Sequence, residues 1–144
     1  MNQTIYIIII LVCLIFSGYF SATETAFSTF NKIRMKTYAD KGNKRAKSVL
    51  KLADNYDGLL TTILIGNNLV NILMASMATL LFIEWMGDTT GPTISTIVTT
   101  IIVLIFGEVT PKSVAKERPE KFAMFAEPLI KFLMYLFIPF VFFV

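Results

Sequence analysis

Every cation of this chain falls on one side of its apolar runs. All 13 lysines and arginines lie in two segments. Lys32, Arg34, Lys36, Lys41, Lys44, Arg45, Lys47 and Lys51 sit between the first and second apolar runs, and Lys112, Lys116, Arg118, Lys121 and Lys131 follow the third. The N-terminal tail and the 84–91 loop have none, and that loop carries Glu84 and Asp88. Cytoplasmic loops concentrate Lys and Arg, so this pattern predicts an outside N-terminus and two basic cytoplasmic segments. It predicts spans at about 5–28, 57–83 and 93–110, each long enough to cross a bilayer. The chain is 55% hydrophobic with a mean hydropathy of +0.67. Its expected class is therefore an all-α integral membrane protein, one multi-pass domain over residues 1–144. The net charge of +3 and pI near 9.0 point to headgroups and not to nucleic acid, because the basic residues flank apolar runs.

The connecting segments read from their punctuation. Residues 31–56 suggest one or two short helices on the cytoplasmic surface, with a break at Gly42-Asn43 and lysines facing anionic lipid. In the 84–92 turn, Trp85 sits at interfacial depth and Gly87-Asp88 and Gly91-Pro92 are turn signals. Thr96, Thr99 and Thr100 form a mild polar stripe suited to helix packing or a dimer seam. Residues 120–144 are apolar but interrupted by Glu127-Pro128, Lys131 and Pro139, so a juxtamembrane helix along the inner leaflet is expected in place of a fourth span. The chain stops inside this hydrophobic run, and a cytosolic continuation is expected. The first run lacks a basic region ahead of it and is too long for a cleaved signal peptide.

With no histidine and a single cysteine, Cys13, zinc clusters, disulfides and Cys/His nucleophiles are excluded, and any metal must be held by oxygen. Glu108 and Pro111, in Phe106-Gly107-Glu108-Val109-Thr110-Pro111-Lys112, place a carboxylate and a helix-breaking residue at the inner end of the third run. An ionisable group there is costly and marks a site unless it snorkels from a kinked helix end. Pro111 lacks the N–H that an α-helix would direct at the Gly107 carbonyl, which leaves that oxygen free. In the first run Ser17 and Ser21 share a face, where small residues could equally serve as a packing seam. In the second, Asn67 and Asn71 share a face, and Asn68 points elsewhere, toward inter-helix hydrogen bonding.

Depth joins these residues. At about 1.5 Å per residue, Ser17 and Ser21 lie about 18 and 24 Å below the outer end of their run, Asn71 and Asn67 about 18 and 24 Å, and Gly107 and Glu108 about 20 Å. Packing devices would scatter in depth, whereas these share one slab. Hydroxyls, amide oxygens, a carbonyl and one carboxylate make a hard-cation shell suited to Mg²⁺ and tolerant of Na⁺ or Ca²⁺.

The segments Ser17-Gly18-Tyr19-Phe20-Ser21-Ala22-Thr23-Glu24-Thr25-Ala26, Gly66-Asn67-Asn68-Leu69-Val70-Asn71 and Phe106–Lys112 resemble, in order and spacing, the transmembrane domain of the CorC/CNNM (cyclin M) magnesium transporter family. The resemblance implies three spans plus a juxtamembrane belt helix, a homodimer in a bacterial inner membrane, and Mg²⁺ export coupled to Na⁺ entry. It also implies a cytosolic CBS-domain pair that binds ATP, absent from these 144 residues. The family's ion-site positions map onto Ser17, Ser21, Asn67 or Asn71, Gly107 and Glu108, with Pro111 as the structural helix break. Glu24 is typical of bacterial members and is not counted as a ligand. A different class is a Mg²⁺-sensing membrane domain that regulates attached domains without moving ions. An enzyme is not expected, since Ser17 or Ser21 with Glu108 lacks a histidine or lysine base.

Overall fold

A computed structural model describes residues 2–137. Among them the fold is all helix, in the order α1 (Gln3–Thr29), α2 (Lys32–Asp40), α3 (Lys44–Asp54), α4 (Tyr56–Ile102), a π-helical segment (Val103–Val109), α5 (Thr110–Glu117) and α6 (Pro119–Leu136). Two helical stretches are long and apolar enough to cross a membrane, Gln3–Thr29 and the path Tyr56–Glu117.

Asparagines start three of the helices. Asn2 caps α1 through Thr4 N–H, Asn31 accepts from the N–H groups of Ile33 and Arg34, and Asn43 accepts from Ala46 N–H. Each satisfies donors that a helix N-terminus leaves unpaired. The segment between α1 and α4 is thus two short helices, separated at Gly42, whose φ is +96°.

The long α4 is two arms. Gly87 alone leaves helical geometry, at φ 87° and ψ 170°, a region open essentially to glycine. The chain folds back there: a Cβ on Gly91 would stand 2.8 Å from Ile83 Cα, and Ala75 and Thr79 of one arm share a small cleft with Ser95, Thr96, Thr99 and Thr100 of the other. The turn is tighter than the 84–92 loop that the punctuation suggested. Gly91 and Pro92 lie inside the second arm, close enough to its start that proline forgoes little helical hydrogen bonding.

Pro111 does not end the helical path, contrary to the expected break. Residues 103–109 widen into a π-helix, and Thr110 N–H bonds the Ile105 carbonyl five residues back. The next donor in that register would be Pro111 N–H, which does not exist. The widened turn absorbs the proline at the N-terminus of α5, where a missing N–H costs least, and the path continues to Glu117. The break comes at Arg118, at φ −138° and ψ 66°, followed by Pro119 at the start of α6. The expected 120–144 helix is present as Pro119–Leu136, with Pro128 inside it. Its remainder, Pro139 included, lies outside the described residues.

The core lies at one end of the bundle. Phe20, Ala22, Ala26 and Phe27 of α1 pack with Met35 and Ala39 of α2, Val49 and Leu52 of α3, Leu59 and Ile63 of α4, Ala115 of α5 and Ala123 and Ile130 of α6. The other end of α1 presents Ile5, Ile8, Leu11 and Ile15 outward. A helix with one half enclosed by protein and the other half bare and apolar suits a bilayer, which has no water to exclude the bare half. Polar ties fasten α6 across the core. Tyr19 Oη donates to the Ala126 carbonyl at 2.6 Å, Ser48 Oγ donates to Glu127, and Arg34 pairs with Glu120 at 3.0 Å.

Candidate functional site

Close packing of small residues builds the site. Ser17, fully buried, stands where α1 meets the π-helical segment, and a Cβ placed on Gly107 would lie 3.0 Å from Ser17 Oγ. One residue on, a Cβ on Gly18 would meet Pro111 Cγ at 3.1 Å and the Phe106 carbonyl oxygen at 3.4 Å. On the other side Phe20 presses its ring onto Gly66, where any Cβ would fall 2.5 Å from the ring. Glycines at these three crossings let the backbones approach closely enough for short polar side chains to reach one another.

Ser17 Oγ lies 3.4 Å from Asn67 Oδ1, a long hydrogen bond joining α1 to α4. Ser17, Asn67 and Gly107, from three separate apolar runs, therefore meet. Asn71, one turn along from Asn67, is half-buried, and its Oδ1 is buried without a hydrogen-bond partner. It is the one such side-chain atom among the described residues. Ser21, one turn along from Ser17, is 2% exposed, and its backbone carbonyl accepts from Thr25 Oγ1. Glu108 is half-buried in the π-helical segment, and among the described residues its carboxylate has no ion pair. Asn68 is exposed on the far face.

The π register changes which carbonyl loses its donor. Counting five residues back from Pro111 gives Phe106, not Gly107, and it is the Phe106 oxygen that faces Gly18. An α-helical count cannot reveal this shift, so Phe106 was missed. Gly107 instead serves by having no side chain beside Ser17. No cluster of three or more His, Cys, Asp or Glu residues exists among the described residues. Ser17, Ser21, Asn67 and Asn71 offer neutral oxygens, and Glu108, next in sequence to Gly107, offers one carboxylate, a donor set that can coordinate a desolvated cation or accept from an ammonium group.

Comparison with known proteins agrees with the sequence motifs. A protein of Haemophilus influenzae named UPF0053 protein is 40% identical over 139 residues, 96% of this chain and 33% of its own length. The UPF0053 inner membrane protein YfjD of Escherichia coli is 43% identical over 125 residues, 87% of this chain and 29% of its own. A Haemophilus influenzae protein named polyamine export protein is 29% identical over 149 residues, 95% of this chain and 34% of its own. The chain spans about a third of the length of these relatives. The profile of the cyclin M transmembrane N-terminal domain matches residues 8–144, and the chain belongs to that family of membrane domains.

Proposed function

We propose that this domain exports Mg²⁺ from the cytoplasm across a bacterial inner membrane, in exchange for Na⁺, through an oxygen-lined site among three passes. The passes are α1 and the two arms of the α4 hairpin, the second arm continued through the π-helical segment. The distribution of Lys and Arg orients them with the N-terminus outside, and α6 lies along the inner leaflet as a belt. Pairing of two copies would complete the transporter, and cytosolic domains of the longer protein would regulate it.

The observation that carries this reading is Asn71 Oδ1, an acceptor buried without a donor one helical turn from Asn67, which itself bonds Ser17 beside Gly107. Leaving a buried acceptor unpaired costs about 1–3 kcal/mol, which a packing residue has no reason to bear. A cation coordinated there would satisfy it. Glu108 supplies the one formal charge, Ser17, Ser21, Asn67 and Asn71 supply orienting oxygens, and Gly107, bare of a side chain, leaves room for the ion beside Ser17. A single carboxylate neutralises a divalent ion only in part, which suits a cargo that must leave as well as bind.

The relatives named polyamine export protein favour a second reading, in which the cargo is a polyamine. An ammonium group would use the same acceptors, with the Glu108 carboxylate as its counter-ion. A sensing domain that binds Mg²⁺ without moving it is the third.

Flux from proteoliposomes, measured separately for Mg²⁺ and for spermidine, decides among them. Wild-type protein is expected to move Mg²⁺, with Glu108→Gln and Asn71→Leu inactive. Asn71→Leu should also unfold at a higher temperature in ion-free buffer, because the unpaired acceptor is gone. Spermidine flux without Mg²⁺ flux would establish the second reading, and saturable Mg²⁺ binding without flux the third. Normal Mg²⁺ flux in both variants would remove this site from transport.

A further inference from the structure

Away from the ion site, α3 and α6 diverge to leave a cleft of about 250 Å³, lined by Ser48, Lys51, Leu52 and Asn55 on one wall and Lys131, Met134 and Tyr135 on the other. Lys51 and Lys131 come from opposite walls, 80 residues apart in sequence, and converge on the same space. Neither has a carboxylate partner, since Arg34–Glu120 is the one ion pair among the described residues. The carboxylates nearest in sequence are otherwise disposed. Glu127, one turn before Lys131, is buried and accepts from Ser48 Oγ, and Asp54, three residues after Lys51, is exposed without an ion pair. Between the two ammonium groups the floor is apolar, with Leu52 9% exposed, and Asn55 adds an amide donor. Tyr135 of the cleft wall is 66% exposed, and its α6 neighbours Phe132 and Leu136 are 61% and 56% exposed.

Two unpaired cations in a cleft walled by Leu52, Met134 and Tyr135, on a helix that also exposes Phe132 and Leu136, match a molecule with an anionic head and a hydrocarbon tail. We propose that the α3–α6 cleft is a binding site for an anionic phospholipid of the cytoplasmic leaflet, its phosphate held between Lys51 and Lys131 and its acyl chain laid along Met134 and Tyr135. The leaflet assignment rests on the membrane orientation proposed above, and the site itself does not. A free phosphate would use the lysines and leave the apolar wall idle, so the lipid is the occupant that uses the whole cleft. Bound there, it would staple α3 to the belt helix beside the Ser48–Glu127 hydrogen bond.

The test is lipid retention, read independently of any ion flux. Purified protein in detergent is offered equal amounts of phosphatidylglycerol and phosphatidylcholine, and bound lipid is counted by native mass spectrometry. Wild-type protein should retain phosphatidylglycerol preferentially. The double variant Lys51→Gln/Lys131→Gln should lose that preference by about 25-fold, the product of about fivefold for each lysine near a lipid phosphate. The charge-matched control Lys36→Gln/Lys41→Gln, on and just after α2, should keep it. Equal retention by wild type and double variant, or equal loss in the control, would overturn the proposal. Displacement of the lipid by glycerol phosphate at matched concentration would overturn the lipid assignment, and a cleft that retains neither ligand would overturn the proposal.

Discussion

Gly107 shows how much of the site rests on one missing methyl group. An alanine there would bring its Cβ to 3.0 Å from Ser17 Oγ, closer than side chains normally approach, and Ser17 is buried and tied to Asn67. Overpacking of this kind costs about 1–3 kcal/mol, while replacing a helical glycine by alanine returns up to about 1 kcal/mol through backbone entropy. The two largely offset in stability but not in geometry, because the strain is relieved only by moving the Ser17 hydroxyl. Gly107→Ala is therefore expected to change the melting temperature by a few degrees at most, since about 1 kcal/mol shifts it by only a few degrees in a chain of this size. Its transport should fall about tenfold, the effect of about 1.4 kcal/mol on the barrier. Gly66→Ala meets the Phe20 ring at 2.5 Å and should show the reverse balance, losing stability first. A loss of melting temperature in Gly107→Ala with transport intact would make Gly107 a packing residue like Gly66.

At the scale of elements, the hairpin of α4 depends on Gly87. Its φ of 87° with ψ of 170° is closed to a side chain at low cost, and nothing lies within 4 Å of where a Cβ would project. The penalty for Gly87→Ala is thus backbone strain alone, about 1–3 kcal/mol, and it should appear as a lower unfolding midpoint, with Gly42→Ala as a comparison at a second positive φ. An unchanged midpoint would mean that the turn is remade in another conformation. These elements also mark how far sequence could be read. The helical character of residues 31–56, expected as one or two short helices, and the break at Gly42-Asn43 were legible, because an Asn cap and a glycine are local signals. The single-residue reversal at Gly87 was not, since Gly91-Pro92 carries an equally strong turn signal and only packing of Gly91 on Ile83 selects between them. The π register was also hidden. A proline announces a lost donor, but whether the helix breaks or widens depends on α1 packing at Gly18 and Ser17.

For the whole molecule, the sequence marked the apolar runs and the level at which polar residues cluster, and three of the chosen site residues, Ser17, Asn67 and Gly107, do meet. The ties that place α6 were beyond reach, because Tyr19 to Ala126 and Arg34 to Glu120 join residues more than 80 positions apart through groups that look like ordinary surface chemistry. Those ties predict sidedness. Arg34 fastens α6 to α2, so the basic α2–α3 segment and α6 share one end of the bundle, with the buried core between them and the Gly87 turn at the far end of the first α4 arm. The lysines predict a cytoplasmic location for that shared end, since reversing the molecule would carry a dense row of ammonium groups across the bilayer. In a background with Cys13 replaced by serine, Asp88→Cys in intact cells should react with a membrane-impermeant maleimide, and Lys41→Cys only after permeabilisation. Both positions are exposed, so access and not burial governs the outcome. Labelling of both in intact cells would place the Gly87 turn and the α2–α3 end on the same outer side and reduce the first arm of α4 to a non-spanning element. The opposite pattern would invert the molecule and turn the proposed exporter into an importer.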